Sequence, residues 1–296
     1  MRRATTKIDT VGIGKLRDRA GQERRVLRLP ALRAVGGPDP SSPFLRAIVI
    51  LSVVLCLLAM FPGRARAVEG KYAAAALAAF QSARRDYQSQ PGNPTNAWQF
   101  ARTCFDLGDD ATNNTERAAI ADQGIEAARH AIAEQPGSGP AHYYLGLNLG
   151  QLARTKTLGA LRLVSQMERE FLEAIRCDAG FDYAGAERSL GLLYRDAPSI
   201  ASIGSRSKSR QHLERAVQLA PDYPENRLNL VESCIKWNDR NAARHELVEL
   251  EANLAEARKK FSGPQWAASW EDWDNRLVEV RKSLGEPPKP LPSPRH

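Results

Sequence analysis

The sequence predicts an all-α fold in which pairs of helices stack into a solenoid. Between Gly70 and Leu284, apolar residues recur three and four positions apart, which is the spacing of one helix face, and no stretch alternates with the period of two that a strand requires. Successive helix pairs also close at Pro136, Ala179 and Pro221, 43 and 42 residues apart. A repeat of this length indicates helical hairpins that bury their apolar faces against one another.

The composition excludes several classes of protein. The 296 residues are 43% hydrophobic and 26% charged, which is ordinary for a globular chain and excludes collagen-like and wholly disordered proteins. Residues 1–67 contain 13 Lys and Arg against 4 Asp and Glu, whereas the rest of the chain contains 29 against 30. The basic charge therefore belongs to the N-terminal segment, and we expect no nucleic-acid partner for the remainder.

The N-terminal region, residues 1–67, is predicted to be a basic segment that ends in a secretory signal. Arg46 precedes fifteen uncharged and mostly apolar residues, 47–61, and Ala65-Arg66-Ala67 supplies the small residues that a signal peptidase accepts. As a helix, fifteen residues rise about 22 Å, less than the roughly 30 Å hydrocarbon core of a membrane. We expect a periplasmic or secreted protein that is cleaved after Ala67; the alternative is an inner-membrane protein anchored by residues 47–61.

The helical region begins with a lone helix over Lys71–Gln90, and four helix pairs follow it. The first helix of a pair carries a large residue beside a small one, and the second carries small and apolar residues in register. The marker residues are Trp98, Phe105, Gly124, Ala128 and Ala131 in the first pair, Tyr144–Leu149, Phe171 and Ala174 in the second, Ser189–Tyr194, Leu213 and Ala216 in the third, and Leu230, Cys234, Ala243, Leu247 and Leu250 in the fourth.

This spacing resembles the tetratricopeptide repeat (TPR), a helix–turn–helix unit whose small residues let the paired helices approach closely. The resemblance is best in Ala184–Pro221, once one insertion is allowed for, and Pro224–Leu250 keeps the uninterrupted spacing. It covers about residues 93–250. It implies a TPR-like α-solenoid of about four repeats within residues 68–284, with capping helices at both ends.

The predicted repeats are longer than the 34 residues typical of a TPR. The additional residues fall between the first and second helix of three consecutive pairs, around Asp109–Thr115, Leu152–Leu161 and Ala197–Lys208. Because stacked repeats share one orientation, we expect all three insertions along one edge of the solenoid. Loops carry many ligand contacts, so this edge is a candidate binding surface.

The C-terminal helix, residues 264–284, is predicted to cap the last repeat. Spacings of three and four place its large apolar residues on one stripe: Trp266, Trp270, Trp273, Leu277, Val280 and Leu284. Such a stripe is typical of a helix that covers the apolar end of a solenoid. The alternative is a tryptophan surface that binds a ligand. Residues 285–296 contain five prolines and are predicted to form a disordered, extended tail.

The TPR resemblance also implies a concave groove lined by the first helices. The family's groove positions correspond here to Gln99, Thr103, Tyr143, Leu147, Arg188, Leu192, Arg195, Leu228 and Glu232. Arg188 and Arg195 lie two turns apart on one helix face, and a guanidinium pair beside tyrosine rings suits a carboxylate-bearing or peptide ligand. The alternative is that both arginines form internal ion pairs with acidic neighbours such as Glu187 or Asp196.

The sequence shows little sign of catalytic chemistry. The four histidines of the helical region lie on separate helices without the spacing of a zinc site, and no Ser/His/Asp or Cys/His arrangement stands out. Cys104, Cys177 and Cys234 form no CxxC pair and suggest no disulfide framework. We therefore expect a protein that is not an enzyme and that needs neither a metal nor a cofactor.

A turn rich in Gly and Ser, Ile203–Ser209, is a candidate anion site. Ser205 or Ser207 is suited to cap the helix that follows, which is the simpler interpretation. The alternative is that Arg206 and Lys208 hold an anion at the N-terminus of this helix.

A narrower resemblance concerns Leu190–Pro198, Gly204, Lys208 and His212–Pro224, which are similar to the T-component of TRAP-type transporters. That family consists of periplasmic TPR proteins that partner a solute-binding protein and form oligomers. Two functions are therefore expected. The first is an exported scaffold that binds a protein or peptide partner. The second is a transport accessory that passes a small solute to or from a periplasmic binding protein, and self-association is a further expectation.

Overall fold

The computed structural model describes residues 14–17, 23–26, 66–156, 159–200 and 202–286. The apolar run 47–61 and the proline-rich tail from residue 287 onward lie outside the described residues. The predicted cleavage position after Ala67 falls in the first turn of the first helix. Within the described part of the chain, no helix is both long enough and apolar enough to cross a membrane.

The described residues contain ten α-helices. Their bounds are α1 Arg66–Ser89, α2 Pro94–Asp109, α3 Asn114–Glu134, α4 Gly139–Arg154, α5 Ala160–Asp178, α6 Phe181–Asp196, α7 Arg206–Leu219, α8 Pro224–Lys236, α9 Arg240–Lys260 and α10 Ala267–Leu284, with a 3-10 turn at Pro264–Trp266. This array confirms the predicted all-α class.

A short β-hairpin lies in the N-terminal region, within a separate unit that spans Met1–Ser42. Its strands, β1 Gly14–Arg17 and β2 Glu23–Val26, are antiparallel and place Gly14 opposite Val26 and Arg17 opposite Glu23. These two strands were not predicted from the sequence.

Neighbouring helices pack in the order expected of stacked hairpins. Within the pairs, α2 packs on α3, α4 on α5, α6 on α7 and α8 on α9; between pairs, each second helix packs on the next first helix. The first helices also contact one another, α2 with α4, α4 with α6 and α6 with α8. The first helices therefore form one continuous row, which is the architecture predicted for a TPR-like solenoid.

Glycines at equivalent positions allow the helices of a pair to approach closely. A Cβ added to Gly146 on α4 would lie 2.5 Å from the Phe171 ring on α5, and one added to Gly191 on α6 would lie 2.7 Å from Leu213 on α7. Both distances are too short for real contacts. The large-small signature in the sequence therefore marks the close approach of helices within a pair.

The loops between first and second helices differ in length. By the helix bounds, they comprise residues 110–113, 155–159, 197–205 and 237–239. The third is the longest. Two backbone hydrogen bonds hold its ends together: the Ser205 amide donates to the Tyr194 carbonyl at 2.9 Å, and the Gly204 amide donates to the Pro198 carbonyl at 3.1 Å. In the first two insertions, part of the added length extends α3 and α5 to 21 and 19 residues.

Helix α10 packs mainly against α8 at the C-terminal end of the row. Its residues Trp273, Leu277, Val280 and Leu284 are buried, whereas Trp266 and Trp270 are half-buried. The Trp270 indole N–H donates to the Phe261 carbonyl at 2.7 Å, so its polar atom is satisfied within the fold. This inward packing of the stripe favours a capping helix over a tryptophan ligand surface.

Candidate functional site

The predicted groove residues differ widely in exposure. Gln99 on α2 is exposed, and Leu192, Arg195 and Glu232 on α6 and α8 are half-buried, as is Thr103. Tyr143, Leu147, Arg188 and Leu228 are buried. A partner on the first helices would therefore meet Gln99 and Leu192, and the buried side chains pack beneath them.

Arg188 is held by partners within the chain. Its guanidinium donates to Asn226 Oδ1 at 2.8 Å and to the Tyr183 carbonyl at 3.3 Å, lies 3.4 Å from Asp182 Oδ2, and sits 5.2 Å from the centre of the Tyr223 ring. Burial opposes the charged form, but the carboxylate of Glu225 and other neighbours raise the pKa of Arg188 above its ordinary value. These contacts match the internal alternative, with acidic partners other than Glu187.

Arg195 is also paired internally. It donates to both carboxylate oxygens of Asp196, from Nε at 2.8 Å and from Nη2 at 2.7 Å, and its Nη1 donates to Ser233 Oγ on α8 at 3.2 Å. Lys236 on α8 pairs with the same carboxylate, which is fully buried. This cluster joins α6 to α8. Because two cations share one carboxylate, the cluster keeps one positive charge, and a partner would meet it mainly through Lys236, whose side chain is 47% exposed against 9% for Arg195.

Helix α6 begins with a left-handed turn that the sequence analysis did not predict. Asp182, Tyr183 and Ala184 have φ angles of 51°, 55° and 61°. Each L-residue in this region costs about 1–2 kcal/mol, and non-glycine residues rarely adopt it in succession. The Tyr143 hydroxyl donates to Asp182 Oδ2 at 2.9 Å, and Asn226 Nδ2 donates to the Tyr183 carbonyl at 2.9 Å. Contacts from α4 and α8 therefore hold a strained turn in the middle of the row.

An aromatic cluster brings α2 close to the start of α6. The Phe181 ring lies edge-on to Trp98 at 5.9 Å and to Tyr144 at 6.1 Å, and Trp98 and Tyr144 are parallel at 6.0 Å. Burial is the largest cause that raises the pKa of Tyr143 and Tyr144, and the charge of Asp182 adds to it. Both tyrosines are therefore neutral side chains within this aromatic cluster.

Glu232, at the C-terminal end of the row, is engaged by the cap. Arg276 on α10 donates to Glu232 Oε1 and Oε2, both at 2.8 Å, and to Asn229 Oδ1 at 2.6 Å. At this end of the row, the groove position Glu232 is therefore engaged by the chain's own cap helix. Sequence reasoning missed this because Arg276 lies 44 residues beyond Glu232.

The anion-site candidates also have partners. Arg206 lies 3.7 Å from Asp239 and 5.4 Å from the centre of the Trp237 ring, and the Lys208 ammonium lies 4.9 Å from the centre of the Tyr194 ring. Ser205 is the N-cap of α7, where its hydroxyl accepts from the Lys208 amide at 3.3 Å. The simpler interpretation, a turn and helix start, accounts for these contacts, and anion binding stays a prediction.

Two His–Glu pairs join helices within repeats. His142 Nδ1 lies 2.7 Å from Glu170 Oε2, and its Nε2 lies 3.1 Å from the Pro136 carbonyl. In the third repeat, His212 Nδ1 lies 2.6 Å from Glu187 Oε2. In the region that the structure describes, no group of three or more His, Cys, Asp or Glu side chains could hold a metal ion. Cys104 and Cys234 are buried and Cys177 is half-buried, all three as free thiols.

Comparison with solved structures supports the fold. A family model described as Regulator of microtubule dynamics protein 1-3 matches residues 64–177, less than half of the chain. No curated protein matches the chain. Among solved structures, the crystal structure of a thermophilic TPR protein from Thermus thermophilus is similar, with a TM-score of 0.50 and 21% sequence identity over 79% of this chain and 97% of that one. At this level of identity, the similarity establishes the fold alone. The protein is therefore a TPR-like, all-α repeat protein.

Proposed function

We propose that this protein is an exported, non-catalytic scaffold that binds a protein or peptide partner in the groove formed by α2, α4, α6 and α8. The observation that carries the proposal is the continuous row of first helices. The TPR-like fold generally mediates protein–protein interactions, so a polypeptide is the partner class that this row favours.

The side chains available along the row suit a polypeptide. Gln99 offers an amide, Leu192 an apolar surface and Lys236 an exposed ammonium that shares the Asp196 carboxylate with Arg195. An extended peptide presents amides, apolar side chains and carboxylates close together. The amide, the apolar surface and the ammonium of the row can bind these three kinds of group in turn. A small solute of one chemistry would need fewer kinds of contact.

The paired state of the charged groups supports a non-catalytic function. Arg188 and Arg195 are each bound to carboxylates and amides of neighbouring helices, and the tyrosines beside them are neutral. Groups that hold helices together in this way are structural rather than poised for proton transfer.

Export remains part of the proposal and rests on residues 47–61 and the Ala65-Arg66-Ala67 pattern. N-terminal sequencing of the protein from the envelope or medium tests it. We expect a chain that begins at Val68. A chain that still contains Ile50 contradicts cleavage and supports the inner-membrane anchor.

The second candidate function is a transport accessory that passes a small solute to or from a periplasmic binding protein. It is favoured by the residues that resemble the TRAP T-component, Leu190–Pro198, Gly204, Lys208 and His212–Pro224, which lie on α6, the 197–205 loop, α7 and the start of α8. This segment forms one compact hairpin whose loop carries Ile200 with 77% of its surface exposed. A binding protein that docks on the insertion edge, meaning the edge predicted to carry the loops 110–113, 155–159 and 197–205, would cover Ile200.

Site-specific photo-cross-linking in cells tests both functions. A benzophenone amino acid replaces Gln99 in the groove, Ile200 on the insertion edge and, as a control, Leu172, which is exposed on the second helix α5. We expect adducts from Gln99, and identification of the adduct separates the functions. Envelope or assembly proteins support the scaffold, and a solute-binding protein captured through Ile200 supports the accessory. Adducts from Leu172 alone contradict both.

A further inference from the structure

Helix α1 reaches the C-terminal cap. The Tyr72 hydroxyl on α1 donates to Glu271 Oε2 on α10 at 3.0 Å, although the two residues are 199 positions apart. The repeats lie between these helices in sequence, and α1 and α10 belong to opposite ends of the row. This contact therefore joins the two ends of the solenoid.

The two halves of α1 are held very differently. The C-terminal half is anchored, because Phe80 is buried against Phe100 with ring centres 5.3 Å apart and Tyr87 is stacked on the same ring at 5.5 Å. Residues 72–79 contain no buried side chain, and Leu77 is 45% exposed. The N-terminal half thus extends beyond its anchor by eight residues, about 12 Å of helix.

The route from α1 to α10 lies on the groove side of the row. Arg276 anchors α10 to Asn229 and Glu232, which belong to the first helix α8. Helix α10 is also tied to the second helix α9, where Arg281 donates to Glu251 at 2.8 Å. Because α10 packs mainly on α8 rather than on α9, a direct contact between α1 and α10 passes over the side of the first helices that carries Asn229 and Glu232.

We propose that residues 72–79 of α1 form a strap across the mouth of the groove, latched by Tyr72 and Glu271, and that a polypeptide partner enters when the latch opens. This inference rests on the proposed binding function of the groove. The strap opens by unwinding of residues 72–79 while Phe80 and Tyr87 stay packed, because residues 72–79 contribute no buried side chain that must be exposed. Closure then encloses a bound segment between α1 and the row.

Hydrogen exchange measured by mass spectrometry tests the latch in the full chain. We expect residues 72–79 to exchange faster than residues 81–88, and Tyr72→Phe to raise exchange in 72–79 several-fold. The matched control is Tyr87→Phe, which removes the hydroxyl that lies 3.4 Å from His130 Nδ1 in the anchored half. It should leave residues 72–79 unchanged. The proposal is overturned if residues 72–79 exchange slowly and Tyr72→Phe does not change their rate.

Thiol labelling tests whether the strap covers the groove. Leu192→Cys places a thiol on α6, and its reaction with a bulky maleimide is followed in the tryptic peptide that spans residues 189–195. We expect Tyr72→Phe to accelerate this labelling several-fold, with no effect on Leu172→Cys, which lies on α5. Equal rates at residue 192 with and without the latch overturn the proposal. Neither experiment uses a partner, so their failure leaves the groove-binding proposal to be decided by cross-linking.

Discussion

The guanidinium of Arg276 on α10 donates hydrogen bonds of 2.8 Å to both carboxylate oxygens of Glu232 on α8. Burial opposes the charge of Arg276, but Glu232 and other acidic neighbours raise its pKa above the ordinary value. The pair fixes the cap on α8, the first helix of the fourth pair, and closes that end of the groove. This half-buried, bidentate ion pair fixes the position of the cap in addition to the apolar contacts of α10.

Loss of Arg276 should destabilise the protein markedly. Arg276→Ala leaves Glu232 without its bidentate partner and removes a buried aliphatic stem, so we expect the free energy of unfolding to fall by about 2–4 kcal/mol. Urea unfolding followed by circular dichroism measures it. The control is Lys282→Ala on the same helix, where the ion pair with Glu279 is exposed and 3.9 Å long; little change is expected. Equal effects of the two substitutions would contradict the role given to Arg276.

The strained turn at the start of α6 should depend on the charge of Asp182. Asn tolerates the left-handed conformation, so Asp182→Asn keeps the backbone and removes the negative charge beside Arg188. We expect a loss of about 1–2 kcal/mol in unfolding free energy. Asp182→Ala should cost more, because it also removes the acceptor of the Tyr143 hydroxyl. If both variants unfold at the wild-type urea concentration, the turn does not depend on these contacts.

Close packing within the third repeat predicts that Gly191→Ala is destabilising. The added Cβ would lie 2.7 Å from the buried Leu213 side chain, and overpacking of this kind costs about 1–3 kcal/mol. Gly92→Ala is the matched control, since nothing lies within 4 Å of its added Cβ. We expect the melting temperature to fall for Gly191→Ala and to stay the same or rise slightly for Gly92→Ala. A tolerated Gly191→Ala would mean that α6 and α7 are further apart.

The His142–Glu170 pair should make stability depend on pH. The hydrogen bond to Glu170 is the largest cause that raises the pKa of His142, and the Pro136 carbonyl adds to it against the effect of burial. A raised folded-state pKa means that the stabilisation is complete below the unfolded value, about 6.5, and is lost as pH rises through the folded value. The free energy of unfolding of the wild type and of Glu170→Gln should be measured at pH values below the unfolded pKa and above the folded pKa of His142. We expect the two proteins to differ at low pH and to become equal at high pH. Parallel curves would contradict the pair's contribution.

The repeat architecture could be predicted from the sequence because it depends on local spacing. Gly146 and Gly191 mark close approach within a pair, and this signal lies within one helix. Contacts that join distant parts of the chain could not be predicted in the same way. The engagement of Glu232 by Arg276 and of Tyr72 by Glu271 depends on where the terminal helices fold back. The left-handed turn at Asp182–Ala184 has no glycine to signal it and is held by tertiary contacts from α4 and α8.

For the candidate groove, the sequence predicted which positions lie on the first helices but not which of their side chains are exposed. The TPR resemblance identified positions on the first helices, but exposure depends on side chains from the adjacent repeats. Arg188 is buried because Asn226 and Tyr223 from the next repeat surround it. Gln99, by contrast, is exposed. The exposed members of the set are therefore the sharper candidates for partner contacts.

The most direct test of the groove is the affinity of a partner captured by cross-linking at Gln99, measured by biolayer interferometry against surface variants. We expect Gln99→Arg and Leu192→Glu to weaken binding tenfold or more, which corresponds to about 1.4 kcal/mol. Leu172→Glu and Val248→Glu, at exposed positions on second helices, should bind as the unchanged protein does. Full affinity in the two groove variants, with loss in the two variants on the second helices, would place the binding surface on the opposite side of the solenoid and contradict the account.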